Sequence, residues 1–123
     1  MTLKELEEFC NGFGFAGKIH QTCVNALYCD LGADYDGPTL IYAPPGNKYV
    51  YVAEDMTMKL SKDTHYKYEY ETNGDEDGDM TEIYTEYELK DTEAVQKAIY
   101  ALKHEWKECL TKIRIRKAIN DFR

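Results

Sequence analysis

From Leu3 onward the apolar residues Leu3, Leu6, Phe9 and Cys10 recur on one helical face and stop at Gly12, the spacing of a half-buried amphipathic helix. Thr2 followed by Glu5 has the spacing of a capping box, in which each side chain satisfies a backbone N–H that the helix start leaves free. Phe13 to Gly17 reads as a glycine-rich turn. Beyond it Ile19, Cys23, Ala26, Leu27 and Leu31 make a second stripe ending at Gly32, and the pattern predicts a second helix over 19–31.

The period then shortens to two. Thr39 to Ala43 and Lys48 to Ala53 are rich in β-branched and aromatic residues on either side of Pro44-Pro45-Gly46-Asn47, which predicts a hairpin. Met56, Met58 and Leu60 fit either a further strand or an irregular link. Thr64 to Glu71 and Met80 to Leu89 predict a second hairpin across the loop Thr72 to Asp79, where Asn73-Gly74 and Asp77-Gly78 supply the turn. Asp91 can cap a final helix whose stripe is Val95, Ile99, Leu102, Trp106, Cys109 and Ile113. Past Ile113 the apolar residues move to another face, at Ile115, Ile119 and Phe122. The expected class is α+β: residues 1–123 as one domain, with about four mostly antiparallel strands in two hairpins, two N-terminal helices and one long C-terminal helix packed on the sheet.

A chain of 123 residues can bury a core without disulfides or a metal. Cys10, Cys23, Cys29 and Cys109 show no regular framework, which fits reduced thiols in a cytoplasm, that of a host if a phage encodes the chain. The first residues lack a basic stretch followed by an apolar one, and no apolar run approaches membrane-spanning length. A soluble protein with no membrane partner is expected.

Charge changes the picture more. Residues 1–96 hold seven Lys or Arg against twenty Asp or Glu, a net −13, whereas residues 97–123 hold eight against three, a net +5. Between Glu69 and Glu93 eleven acids face a single base, Lys90. Direct binding of nucleic acid by such a surface is disfavoured, because phosphates would be repelled by all but the tail. A basic partner protein, for example a nuclease, is the easier expectation.

Several motifs resemble known sites. Gly12, Gly14 and Gly17 match a dinucleotide fingerprint, but a helix precedes them where the fingerprint needs a buried strand, so a plain turn is the better reading. Asn73, Asp75, Asp77, Gly78 and Asp79 copy the first half of a calcium loop, yet the closing position is Tyr84 where a bidentate Glu is required. Cys10, His20, Cys23 and Cys29 have no zinc-module spacing beyond the gap between His20 and Cys23, and buried core residues explain them as well. No pair of carboxylates stands apart as an acid and base couple. The expectation is a non-enzymatic protein without cofactor or metal.

The acidic segment costs stability, since like charges on neighbouring strand positions destabilise a sheet by a few tenths of a kcal/mol each. With Ile83, Tyr87 and Leu89 inward, Glu82, Tyr84, Glu86 and Glu88 point outward, joined at the loop by Asp75 and Asp77 and, if Tyr66, Tyr68 and Tyr70 are core rather than contact, by Glu69 and Glu71. Alternate carboxylates on a strand lie about 6.6 Å apart, roughly two steps of the phosphate rise in duplex DNA. Those eight residues are the expected contact surface of an acidic inhibitor that fills a basic nucleic-acid groove, as phage anti-defence proteins of the anti-CRISPR, DNA-mimic kind and toxin-immunity proteins do. The blander alternative is that the charge serves solubility alone. Lys112, Arg114, Arg116 and Lys117 form a second, basic surface. It suits a homo-oligomer or virion-type assembly, an anionic nucleotide, or simply the macrodipole at a helix end.

Overall fold

A computed structural model describes residues 1–20, 25–54, 56–60, 68–72 and 84–121, and its class is the expected α+β. Helix α1 (Leu3–Gly12) opens as the sequence predicts: Thr2 Oγ1 accepts from the Glu5 N–H at 3.1 Å, and the Thr2 N–H donates to Glu5 Oε1 at 3.0 Å. The helix ends where Gly14 takes a left-handed φ of 93° that a side chain would resist. The glycine turn is therefore a helix exit, and Gly17 already lies in a strand.

That strand overturns the expected second helix. β1 (Ala16–His20) and β2 (Ala26–Asp30) are antiparallel, with Gly17 opposite Cys29 and Ile19 opposite Leu27. Ala26, Leu27 and Leu31 satisfy a helical stripe, but Leu27 and Cys29 are buried while Tyr28 and Asp30 are exposed, which is a two-residue period. Pairing decides between the two periods. β2 is flanked on both sides, by β1 and by β4 (Ile41–Ala43), so its backbone is satisfied while Leu27 and Cys29 go inward.

The first predicted hairpin is present as β4 and β5 (Tyr49–Ala53), turning at Gly46 (φ 113°) and Asn47 (φ 55°). The second is not. Its two arms separate into different sheets: β7 (Tyr68–Thr72) lies between β3 (Tyr35–Asp36) and β6 (Met56–Leu60), whereas β8 (Tyr84–Glu88) pairs antiparallel with β5. Among the described residues eight strands thus stand where four were expected, in a five-stranded antiparallel sheet of order β1-β2-β4-β5-β8 and a three-stranded sheet of order β3-β7-β6. Among the described strands only β3 and β7 run parallel. The physical reason lies in β5, whose Val50 and Val52 face the core and need a neighbour on their open side; Tyr87 and Thr85 of β8 fill those two rows. Tyr70 of β7 is buried in the other sheet, and its hydroxyl donates to the Pro38 carbonyl at 2.8 Å. It is core rather than contact. Met56 to Leu60 resolves as strand β6, and the loop 73–79 lies outside the described residues.

Helix α2 (Thr92–Asp121) has 30 residues and begins where the Ala94 N–H reaches Asp91 Oδ1 at 3.3 Å. Val95, Ile99, Leu102, Trp106 and Leu110 are buried; Cys109 and Ile113, expected in the stripe, are half-buried at its margin. On one face of the five-stranded sheet α1 packs against β1 and β2, and α2 against β5 and β8 and, most closely, against β6 of the smaller sheet; the core they enclose holds Leu6, Leu27, Ile41, Val50 and Ile99. α1 also guards the edge strand β1. Asn11 exchanges two hydrogen bonds with the Gly17 backbone, at 2.8 and 3.3 Å, and Glu7 Oε2 accepts from the Ile19 N–H at 2.9 Å. These side chains occupy polar groups that would otherwise pair with another chain.

Gly37 follows β3 where a Cβ would lie 2.6 Å from the Tyr70 ring and 2.6 Å from its carbonyl oxygen. Gly37→Ala is expected to cost about 1–3 kcal/mol by overpacking. Urea unfolding checks this, and wild-type stability in the variant would contradict so close an approach of β3 to β7.

Candidate functional site

The two helices cover a single face, so the alternating residues of the five-stranded sheet emerge on the other. Registers set Lys18 opposite Tyr28, Tyr28 opposite Tyr42, Tyr42 opposite Tyr51, and Tyr51 opposite Glu86, in one row across all five strands. A second row places Tyr49 opposite Glu88. The rings of Tyr28 and Tyr42 are 4.9 Å apart and tilted by 36°, and those of Tyr42 and Tyr51 are 6.3 Å apart and near parallel at 21°. The Tyr51 hydroxyl donates to Glu86 Oε2 at 3.2 Å and closes the row on a carboxylate. Tyr28 and Tyr49 remain 40 % exposed.

Tyr28, Tyr42 and Tyr51 each sit between two buried neighbours: Leu27 and Cys29, Ile41 and Ala43, Val50 and Val52. The buried flanks fix the strand's rotation and so aim the ring outward. The same alternation, apolar–Tyr–apolar in three segments, was the signal that could have found this face in the sequence. For β2 the helical stripe concealed it.

Carboxylates frame the rings. Asp30 is exposed two positions along β2 from Tyr28 and holds the Gly32 N–H at 2.8 Å, and Glu86 and Glu88 are exposed on β8. Lys90 lies 3.5 Å from Glu88, both side chains being exposed, a pair worth at most about 1 kcal/mol. Beside it a hollow of ≈300 Å³ is lined by Asn47, Lys48, Tyr49, Glu88 and Lys90.

The predicted acidic surface is only partly gathered here. Glu86 and Glu88 belong to the tyrosine face. Tyr84 does not stand free for contact; it is half-buried and its hydroxyl donates to the Thr39 carbonyl. Glu69 and Glu71 lie on β7 in the other sheet, opposite Lys59 and Thr57 of β6, so they do not continue the β8 row. Asp75, Asp77 and Glu82 lie outside the described residues. Of the basic surface, Lys112 and Arg114 are exposed on the last turns of α2, and Arg116 and Lys117 are placed in the same helix.

Cys10 and Cys29 are brought together in the core, where Gly17 leaves room for the Cys29 sulfur: a Cβ there would lie 2.9 Å from it. The hydrogen bond with Cys10, and then burial, pushes the Cys29 thiol far above its usual range. A thiol held neutral is poor as a metal ligand or nucleophile. Cys23 and the His20 side chain lie outside the described residues, among which no group of three possible metal ligands occurs. Nor is any helix among them long and apolar enough to cross a membrane. No protein-family model, curated protein or solved structure matches this chain.

Burial first, then the hydrogen bond with Tyr28, raises the Tyr42 phenol above its ordinary value of about 10. A raised acid favours the fold while neutral, so its contribution is complete below the ordinary tyrosine range and is lost as pH rises through the Tyr42 value. In a spectrophotometric alkaline titration the Tyr42 phenol is expected to ionise late, and Tyr42→Phe to remove one tyrosine from the late part of the curve. A wild-type curve that fits tyrosines ionising only at the ordinary value would refute the packed row.

Proposed function

We propose that the protein is a non-enzymatic binding protein whose outer sheet face meets a basic, nucleic-acid-handling partner. The observation that carries this is the row of tyrosines ending on Glu86, with Glu88 and Asp30 beside it. Arginine is the side chain such a face suits best: its planar guanidinium stacks on aromatic rings while its forked N–H groups bond carboxylates in pairs. Tyr is also a favoured interface anchor, being large, rigid and polar at its tip. Nucleic acid is the poorer occupant, because stacking platforms for bases rely on a positive groove and this one is edged with carboxylates. An inhibitor that covers the basic groove of a nuclease, of the phage anti-defence or toxin-immunity kind, is the specific form of this reading.

The contact surface is thus revised from an acidic hairpin to a tyrosine face with acidic margins, retaining Glu86 and Glu88. A rim charge acts mainly on association rate and salt dependence, whereas a central aromatic acts on dissociation. Tagged protein should hold a basic, nucleic-acid-binding partner from a cell lysate at low salt and release it at high salt. Glu86→Lys with Glu88→Lys should slow capture, and Tyr28→Ala with Tyr49→Ala should weaken binding about tenfold or more. A partner held equally by all three proteins would remove this face from consideration.

A further inference from the structure

α2 carries a second face that the core does not use. From Ala101 to Ile115 is 14 residues, about 21 Å along the axis and only some 40° from a whole number of turns, so the two lie on nearly the same side. Ala98 and Ala101 sit on the N-terminal part of this side with Glu105 and Glu108; Lys112, Ile115 and Ile119 sit on the C-terminal part. Ile115 is 55 % exposed and Ile119 51 %, one turn apart. Beside the alanines, α2 and the β5–β8 pair leave a cleft of ≈370 Å³ lined by Val52, Tyr87, Ala98, Ala101, Glu54 and Glu105. One half of the face is hollow, apolar and acid-edged, while the other is bulky, apolar and basic.

We propose that two copies of the chain dimerise through α2, packed antiparallel about a two-fold axis near residue 108. Such an axis sets Ile115 and Ile119 of each copy against Ala101 and Ala98 of the other, large against small, and brings Lys112 close to Glu105 and Glu108. The chain's own tail cannot fill its own cleft, because a single helix of 30 residues holds the two about 21 Å apart. A second copy supplies both halves at once, and a two-fold contact closes on itself without forming fibres. Glu105 keeps its bond to the Met56 N–H, 2.9 Å from Oε1, and its other oxygen is available to the base. The tyrosine face lies across the sheet from α2, so it stays open in the dimer.

Sedimentation of the full chain over a range of concentrations tests this. Wild type should rise from the mass of one chain to that of two and no further. Ala101→Trp, which fills the cleft from an exposed position, and Ile115→Asp with Ile119→Asp should each weaken association about tenfold or more. Lys112→Glu should do the same, and Glu108→Lys added to Lys112→Glu should recover part of the association, Glu105 remaining acidic. Single-chain mass at every concentration overturns the proposal, as does a dimer indifferent to Ala101→Trp and to the isoleucine variant. An added Lys- and Arg-rich helical peptide that binds in a manner sensitive to Ala101→Trp, while the mass stays that of one chain plus peptide, assigns the cleft to a foreign basic helix and also overturns it. Capture of the basic partner by Ala101→Trp should be unchanged, which separates failure here from failure of the tyrosine face.

Discussion

One-sided burial of the five-stranded sheet is the constraint from which the other features follow. Leu27, Cys29, Ile41, Ala43, Val50 and Val52 are all buried in the one core cluster that residues of α1 and α2 share with Met56 and Met58 of β6. A strand has only two faces, so fixing these six fixes the opposite direction for Tyr28, Tyr42, Tyr49 and Tyr51. Slipping one strand by a single residue would bury tyrosines under α2 and expose valines, a cost of about 1.5–3 kcal/mol for each aliphatic side chain lost to water. The tyrosine row is therefore held by the core behind it, and only in small part by the ring contacts within it.

Local signals in this chain were legible and long-range ones were not. The capping box at Thr2 and Glu5 and the turn at Gly46 and Asn47 are each decided within a few residues, and both appear where the sequence puts them. So does the buried stripe of Val95, Ile99, Leu102 and Trp106, because a run of this length leaves little room for a competing period. Residues 19–31 failed because Ala26, Leu27 and Leu31 suit either period, and only the flanking strands β1 and β4 choose between them. The partner of β8 failed for a related reason. A hairpin to β7 would close a short loop, but β5, more than thirty residues away in sequence, offers the row of Val50 and Val52 that Tyr87 and Thr85 complete. Neither fact is written in the segment itself.

The candidate site inherited both errors and also corrected them. Glu86 and Glu88 were legible as outward strand residues because Leu89 next to them is plainly apolar and is buried. Tyr84 obeys the same parity but ends half-buried against Thr39, since the row it belongs to meets Ala53, which is buried, instead of water. Tyr28, Tyr42, Tyr49 and Tyr51 were missed because attention to charge favours the densest acidic stretch, and these rings lie among sparse carboxylates. Adjacency in the sheet, not density in the sequence, makes a surface.

The two edges of the large sheet are protected in different ways. An open edge invites pairing with other chains, and a protein can prevent that with side chains that occupy the free backbone groups or with charge. At β1 the first device is used: Asn11 and Glu7 bond the backbone of Gly17 and Ile19 directly. At β8 the described residues show the second, Glu86 and Glu88 standing on the last strand. Had edge protection been the only demand on β8, lysine would serve equally well and would reduce the repulsion within a body of net −13. Acid placed where base would relieve the fold is what the proposed binding surface rests on. The bond from Tyr51 to Glu86 then does two things at once, holding the carboxylate still and presenting it at the end of a stack on which a guanidinium can lie.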